Sequence, residues 1–164
     1  LKNLKDLGWD VAGLELSEDS ARFARETLGL DVFTGGLDRQ TFPAGSFDVV
    51  TMWHVLEHVA DPLALLGENH RVLKDDGVMI LEVPNFGGFQ AKLFGNKWYH
   101  LDAPRHLFHF SEKSLNAMLE RSGFTIVDKA NLSLQYDLFG FMQSGLNGVC
   151  FRFDYLYNFI RSKE

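Results

Sequence analysis

Leu1, Leu4 and Leu7 recur at helical spacing with Gly8 directly behind them, the pattern of two final helical turns and their C-terminal glycine. Trp9 to Leu16 is a short apolar run that closes on acidic Glu15. Ser17-Glu18-Asp19 then supplies an N-cap and acidic first-turn residues that suit the helix dipole. The helix predicted there carries Ala21, Ala24 and Leu28 on one face and stops at Gly29. Asp31 to Thr34 reads as a second strand closed by Gly35-Gly36, and a loop with Pro43 and Gly45 leads into Phe47 to Met52. Val49, Val50 and Met52 in that run suit a strand covered on both faces. Pro62 opens a helix whose Leu65, Leu66, Val72 and Leu73 form one stripe; Asp75-Asp76-Gly77 is expected to turn into a fourth strand, Val78 to Val83, ended by Pro84.

Strand, helix, strand, loop, strand is the rhythm of a parallel sheet, so the pattern predicts an α/β domain. Residues 85 to 110 form a long loop of the length usually reserved for function. Ser111 caps a helix with Leu115, Met118 and Leu119 inward and Gly123 at its end, and Phe124 to Ala130 is expected to be a further strand. The domain is drawn over residues 1 to 131. Residues 132 to 164 form an aromatic, helical extension: Tyr136, Phe139, Phe141, Met142, Leu146, then Phe151, Phe153, Tyr155, Leu156, Tyr157 and Phe159. These cover the sheet or a partner subunit, or meet an apolar substrate or membrane surface, and the pattern leaves both readings open.

Composition changes the picture in three places. A net charge of -6 argues against a nucleic-acid partner, which calls for a basic face. A single cysteine, Cys150, excludes an internal disulfide framework and a cysteine-rich metal site, and suits a reducing compartment, by default the cytoplasm. No stretch of about eighteen apolar residues predicts a transmembrane segment.

Candidate chemistry collects where the strand from Phe47 ends, at Trp53, His54, Glu57 and His58, because parallel sheets bind ligands beyond the carboxyl ends of their strands. His54, Glu57 and His58 also spell H-x-x-E-H, an inverted zinc-peptidase motif. That site needs both histidines one turn apart on a helix and a third ligand, whereas Asp61-Pro62 leaves room for about one turn; no metal is assigned. His100, Arg105, His106 and His109 could likewise be read as metal ligands, but their spacing mixes faces and lacks a companion carboxylate pattern, so they read as a substrate-side loop, while Trp53 and Trp98 read as core or lid aromatics.

Four strings taken together, GWDVAGLELS (8 to 17), FPAGSFDVVTMWHVLEHVADP (42 to 62), VLKDDGVMILEVPN (72 to 85) and PRHLFHFSEKSLNAMLERSGF (104 to 124), resemble class I S-adenosylmethionine-dependent methyltransferases, especially the small-molecule branch with the quinone-biosynthesis enzymes. The resemblance implies a Rossmann-like, mostly parallel sheet with helices on both faces. It also implies a first strand and glycine-rich loop that this chain lacks, and a terminal antiparallel strand, so truncation at both ends is expected. By the same resemblance Glu15 accepts hydrogen bonds from the cofactor ribose and Leu16 packs on its adenine. Gly36 and Leu37, with Asp38 displaced, stand where adenine is read, and Trp53 and His54 lie beside the cofactor. Glu57 and His58 order the loop.

Methyl transfer needs acceptor and methyl group held at near-attack distance in a dry pocket. An oxygen acceptor also benefits from a base near neutrality, for which His54 and His106 are the candidates. The expected function is S-adenosylmethionine-dependent methylation of a small molecule, with apolar acceptors among the candidates. A binding module of the same fold without catalysis, and a zinc hydrolase, are the alternatives.

Overall fold

The computed structural model describes residues 1–38, 41–130 and 134–149, with the backbone alone at 134–137 and 149. They group into two compact units, Leu1–Ala44 and Gly45–Glu164.

In the first unit, helix α1 (Lys2–Asp6) precedes strand β1 (Ala12–Glu15), helix α2 (Glu18–Glu26) and strand β2 (Asp31–Thr34). β1 and β2 pair in parallel from Ala12↔Asp31 to Glu15↔Thr34, with α2 as the crossover. Ser17 starts α2 as expected, its hydroxyl accepting from the Ser20 amide. The inward face is the predicted one: Ala21 is fully buried with Leu30 and Val32, and Val11, Ala24 and Leu28 pack against them. Gly35 turns the chain at the end of β2 with φ of 132°, a conformation that side chains rarely adopt.

In the second unit, strand β3 (Phe47–Trp53) leads through a single 3-10 turn, Leu56–His58, to helix α3 (Pro62–Val72) and strand β4 (Leu73–Glu82). Asp61 caps α3 by accepting from the Ala64 amide, with Pro62 at the first helical position. β3 and β4 pair in parallel from Val49↔Val78 to Trp53↔Glu82. The turn expected at Asp75-Asp76-Gly77 is not formed. β4 starts at Leu73, directly after α3, because Leu73 pairs with Phe47 and an irregularity in register before Val49 takes up the extra residues. Nor is β3 covered on both faces; Met52 alone is buried, and Trp53 is 54% exposed.

The long loop contains helix α4 (Phe89–Phe94) and 3-10 turns at Gly95–Lys97 and Tyr99–Leu101, followed by helix α5 (Glu112–Arg121). Ser111 and Ser114 close a reciprocal capping box at the start of α5. Leu115, Met118 and Leu119 pack inward as predicted, against a core of Met52, Leu56, Leu66 and Phe110. Phe124 to Ala130 is irregular rather than a strand: Phe124 packs on that core, and no described strand pairs with the residues after it. Strand propensity without a partner edge does not make a strand.

Helix α6 (Leu134–Val149) covers the first part of the aromatic segment; Phe151, Phe153, Tyr155, Leu156, Tyr157 and Phe159 lie outside the described residues. α6 is bound to the loop by polar contacts. Tyr99 donates its amide to Ser144 Oγ at 2.8 Å, and Asn147 Nδ2 donates to the Lys97 carbonyl at 3.3 Å. A side chain at Gly140 would stand 2.8 Å from His100 Nε2, so glycine is what lets the helix and that imidazole approach.

Candidate functional site

The first unit places Glu15 where expected, at the carboxyl end of β1. Its main-chain carbonyl accepts from the Gly35 amide at 2.9 Å, which brings Glu15 and the Gly35-Gly36 turn to one strand edge. Its carboxylate Oε1 accepts from the Ser17 amide at 2.8 Å, fixing the side chain at the β1–α2 junction. Leu16 beside it is 79% exposed, Leu37 is half-buried, and a side-chain carbon at Gly36 would meet nothing within 4 Å. Asp38 turns to its own loop, accepting from the Thr41 amide at 3.0 Å.

In the second unit the ends of β3 and β4 build a denser arrangement. Trp53 pairs in register with Glu82, and His54 follows with φ of 54°, a left-handed residue that carries the chain off the sheet. The His54 amide donates to the Glu82 carbonyl at 3.0 Å. That turn sets the imidazole between two carboxylates, Nδ1 3.1 Å from Glu57 Oε1 and Nε2 3.2 Å from Glu82 Oε1. Ionised carboxylates only accept, so both contacts are hydrogen bonds only when both ring nitrogens carry protons. The bond to Glu57 accordingly raises the His54 pKa above the ordinary imidazole value; burial opposes it, and the charges of Glu57 and Glu82 add to it.

Glu57 is 1% exposed. Burial pushes its carboxyl upward, but the His54 bond and the neighbouring imidazole charges outweigh that and leave its pKa lowered. Its main-chain carbonyl accepts from the Leu107 amide at 2.8 Å and the Phe108 amide at 3.2 Å, and His58 Nδ1 lies 3.0 Å from the Arg105 carbonyl. Glu57 and His58 therefore do hold the loop, as read from the sequence, and the Glu57 carboxylate also orients His54.

The histidines of the loop separate. His106 Nδ1 lies 2.7 Å from the His100 carbonyl, its ring packs on His58, and burial lowers its pKa against the pull of Glu57. His100 stacks parallel to His54 at 6.1 Å between ring centroids, whereas His109 Nε2 turns to the Leu101 carbonyl and Arg105 pairs with Asp102. Trp98 is a core residue at 4% exposure. Glu82 is the residue that sequence reasoning missed. Its signal is the parallel register, which sets the acidic end of β4 against the end of β3.

A family model described as a methyltransferase domain matches residues 1–129. The chain is 30% identical over 129 residues to a "probable S-adenosylmethionine-dependent methyltransferase" of Mycolicibacterium smegmatis, covering 76% of this chain and 47% of that protein. It is 31% identical over 134 residues to a ubiquinone biosynthesis O-methyltransferase of Ruegeria sp., covering 75% and 54%. It thus spans about half the length of the curated relatives it matches. Among solved structures, a methyltransferase of Thermotoga maritima described as a "possible histamine N-methyltransferase" superposes with a TM-score of 0.63 at 26% identity, over 76% of this chain and 57% of that one. The fold is the Rossmann-like α/β fold of these enzymes, and with the family model matching most of its length the chain belongs to the methyltransferase-domain family.

Proposed function

We propose that this chain serves an S-adenosylmethionine-dependent methyltransferase acting on a small-molecule acceptor. The observation that carries the reading is Glu15, a carboxylate pinned at the carboxyl end of a parallel strand beside an unfilled glycine turn. An acceptor-only group of this kind matches the two hydroxyls of a ribose, and exposed Leu16 offers apolar surface for a purine, so the residues fit the cofactor. Glu15, Leu16, Gly36 and Leu37 would hold it. When bound, S-adenosylmethionine supplies the electrophilic methyl group.

His54 is the base in this reading, rather than His106, whose ring is 8% exposed and tied to the loop. An acceptor hydroxyl that replaces Glu82 as the partner of Nε2 gives its proton to His54, and the imidazolium formed stays paired with buried Glu57, as an orienting carboxylate does in hydrolase triads. Because the His54 pKa is raised, the neutral base accumulates only as pH climbs through that raised value, and activity climbs with it.

α6 supports an apolar acceptor or a membrane-surface contact through residues 136 to 160. It exposes Leu138, Phe141 and Met142 while Gln143, Ser144 and Asn147 are buried, the reverse of an ordinary surface helix. No helix among the described residues is long and apolar enough to cross a membrane. The single cysteine supports a reducing compartment such as the cytoplasm.

Calorimetric titration with S-adenosylmethionine tests the reading, with Glu15→Gln expected to weaken binding at least about tenfold through loss of a charged hydrogen-bond acceptor. No heat with the unsubstituted protein, or equal affinity in the variant, would overturn it.

A further inference from the structure

Resting on His54 as the base, we propose that His100 is a positioning residue for that ring and that α6, from beyond the methyltransferase domain, holds His100 in place. The family model covers residues 1–129 and α6 spans Leu134–Val149, so the contact belongs to this chain rather than to the family domain.

The two carboxylates leave one freedom of the His54 ring open. Imidazole N–H bonds lie in the ring plane, so the contacts to Glu57 at 3.1 Å and Glu82 at 3.2 Å fix Nδ1 and Nε2 but not the tilt of the ring about the line joining them. His100 supplies a wall against that tilt. Its ring is parallel to His54 within 7° with centroids 6.1 Å apart, inside the offset-stacked range of about 4.5–7 Å. Glu57 from the turn, Glu82 from β4 and His100 from the loop thus face His54, and His106 Nε2 lies 4.0 Å from the Glu57 carboxylate.

His100 is in turn placed by its neighbours. Its carbonyl accepts from His106 Nδ1 at 2.7 Å, and its ring lies 5.5 Å from Trp98 and 5.0 Å from Tyr99, centroid to centroid. α6 closes on the ring edge. Gly140, Ser144 and Asn147 follow at i, i+4 and i+7, so they share one helix face. Fully buried Ser144 Oγ accepts from the Tyr99 amide at 2.8 Å and donates to the Gly140 carbonyl at 2.6 Å, while Asn147 reaches the Lys97 carbonyl. Buried polar groups satisfied in one register specify it, and this register sets Gly140 against His100. A Cβ at Gly140 would lie 2.8 Å from His100 Nε2, 3.3 Å from its Cδ2 and 3.3 Å from Gln90 Oε1, so the imidazole would have to shift.

Heteronuclear NMR of the imidazole groups tests this on the whole chain without cofactor or acceptor, the His54 signals being identified by their loss in His54→Asn. Solvent exchange of the ring N–H protons and the His54 titration midpoint are read. In His100→Ala the protons are expected to exchange at least about tenfold faster, because a ring free to tilt opens its bonds to water. The midpoint is expected to fall by about 0.5 pH toward the ordinary imidazole value, since the bond to Glu57 is the main cause that raises it. Gly140→Ala, which pushes on His100, is expected to speed exchange at least about threefold. Gly145→Ala makes the same change on the same helix where a side-chain carbon meets nothing within 4 Å, and is expected to leave both readings unchanged. Unaltered exchange in His100→Ala overturns the positioning role. Unaltered exchange in Gly140→Ala, or equal changes in Gly140→Ala and Gly145→Ala, overturns the part assigned to α6. Neither reading depends on methyl transfer, so failure here is distinct from failure of S-adenosylmethionine to bind in the calorimetric titration.

Discussion

The pairing of His54 with Glu57 makes a quantitative prediction. At the observed 3.1 Å the Coulomb term is about 5 kcal/mol at an effective dielectric of about 20 and about 1.3 kcal/mol in water. The side chains are 22% and 1% exposed, so the pair lies between these limits, and desolvation removes part of the gain. Hydrogen bonds to charged groups leave about 1.5–3 kcal/mol net, and that is the coupling energy expected from a double-mutant cycle of His54→Asn and Glu57→Gln. Asparagine is the replacement because it tolerates the left-handed backbone at position 54. The pH dependence follows from the two shifts. His54 has a raised folded pKa, so its contribution is full below the unfolded value of about 6.5 and is lost as pH rises through the folded value. Glu57 has a lowered folded pKa, so its contribution is present above the unfolded value of about 4.3 and is lost as pH falls through the folded value. Urea denaturation should therefore give the full coupling at about pH 5.5, and a smaller one at about pH 9, where a neutral imidazole donates to the carboxylate. A coupling below about 0.5 kcal/mol at the lower pH, or equal values at both, would refute the charged pair.

Glu82→Gln removes one of the two carboxylates that raise the His54 pKa, so the rise of methyl transfer with pH should begin at lower pH; an unmoved profile would mean that His54 is not the titrating base. Leu66→Ala opens a cavity in a fully buried part of the second unit's core and should cost about 2.7–5 kcal/mol by calorimetric or denaturant unfolding, a loss under about 1 kcal/mol arguing against that packing.

Much of the local architecture was legible because it rests on local physics. Ser17, Asp61-Pro62 and Ser111 start their helices where capping chemistry puts them, and Ala21, Leu66 and Leu115 face inward by helical period alone. Glu15 was legible for a similar reason, as an acidic residue closing an apolar run before a cap. Phe124 to Ala130 misled because strand formation is settled by a neighbouring edge rather than by the segment itself.

The site separates the two kinds of information most clearly. Sequence by itself determined that His54, Glu57 and His58 follow a strand and that the histidines near position 106 belong to a long loop. Only tertiary structure decided that Glu82 reaches His54, through the parallel register of β3 and β4, and that Glu57 is buried between His54 and His106. Both turn on contacts between residues far apart in the chain. Spacing fixes the direction of neighbours within a helix or strand, but pairing and burial are set by what other segments bring to the same place.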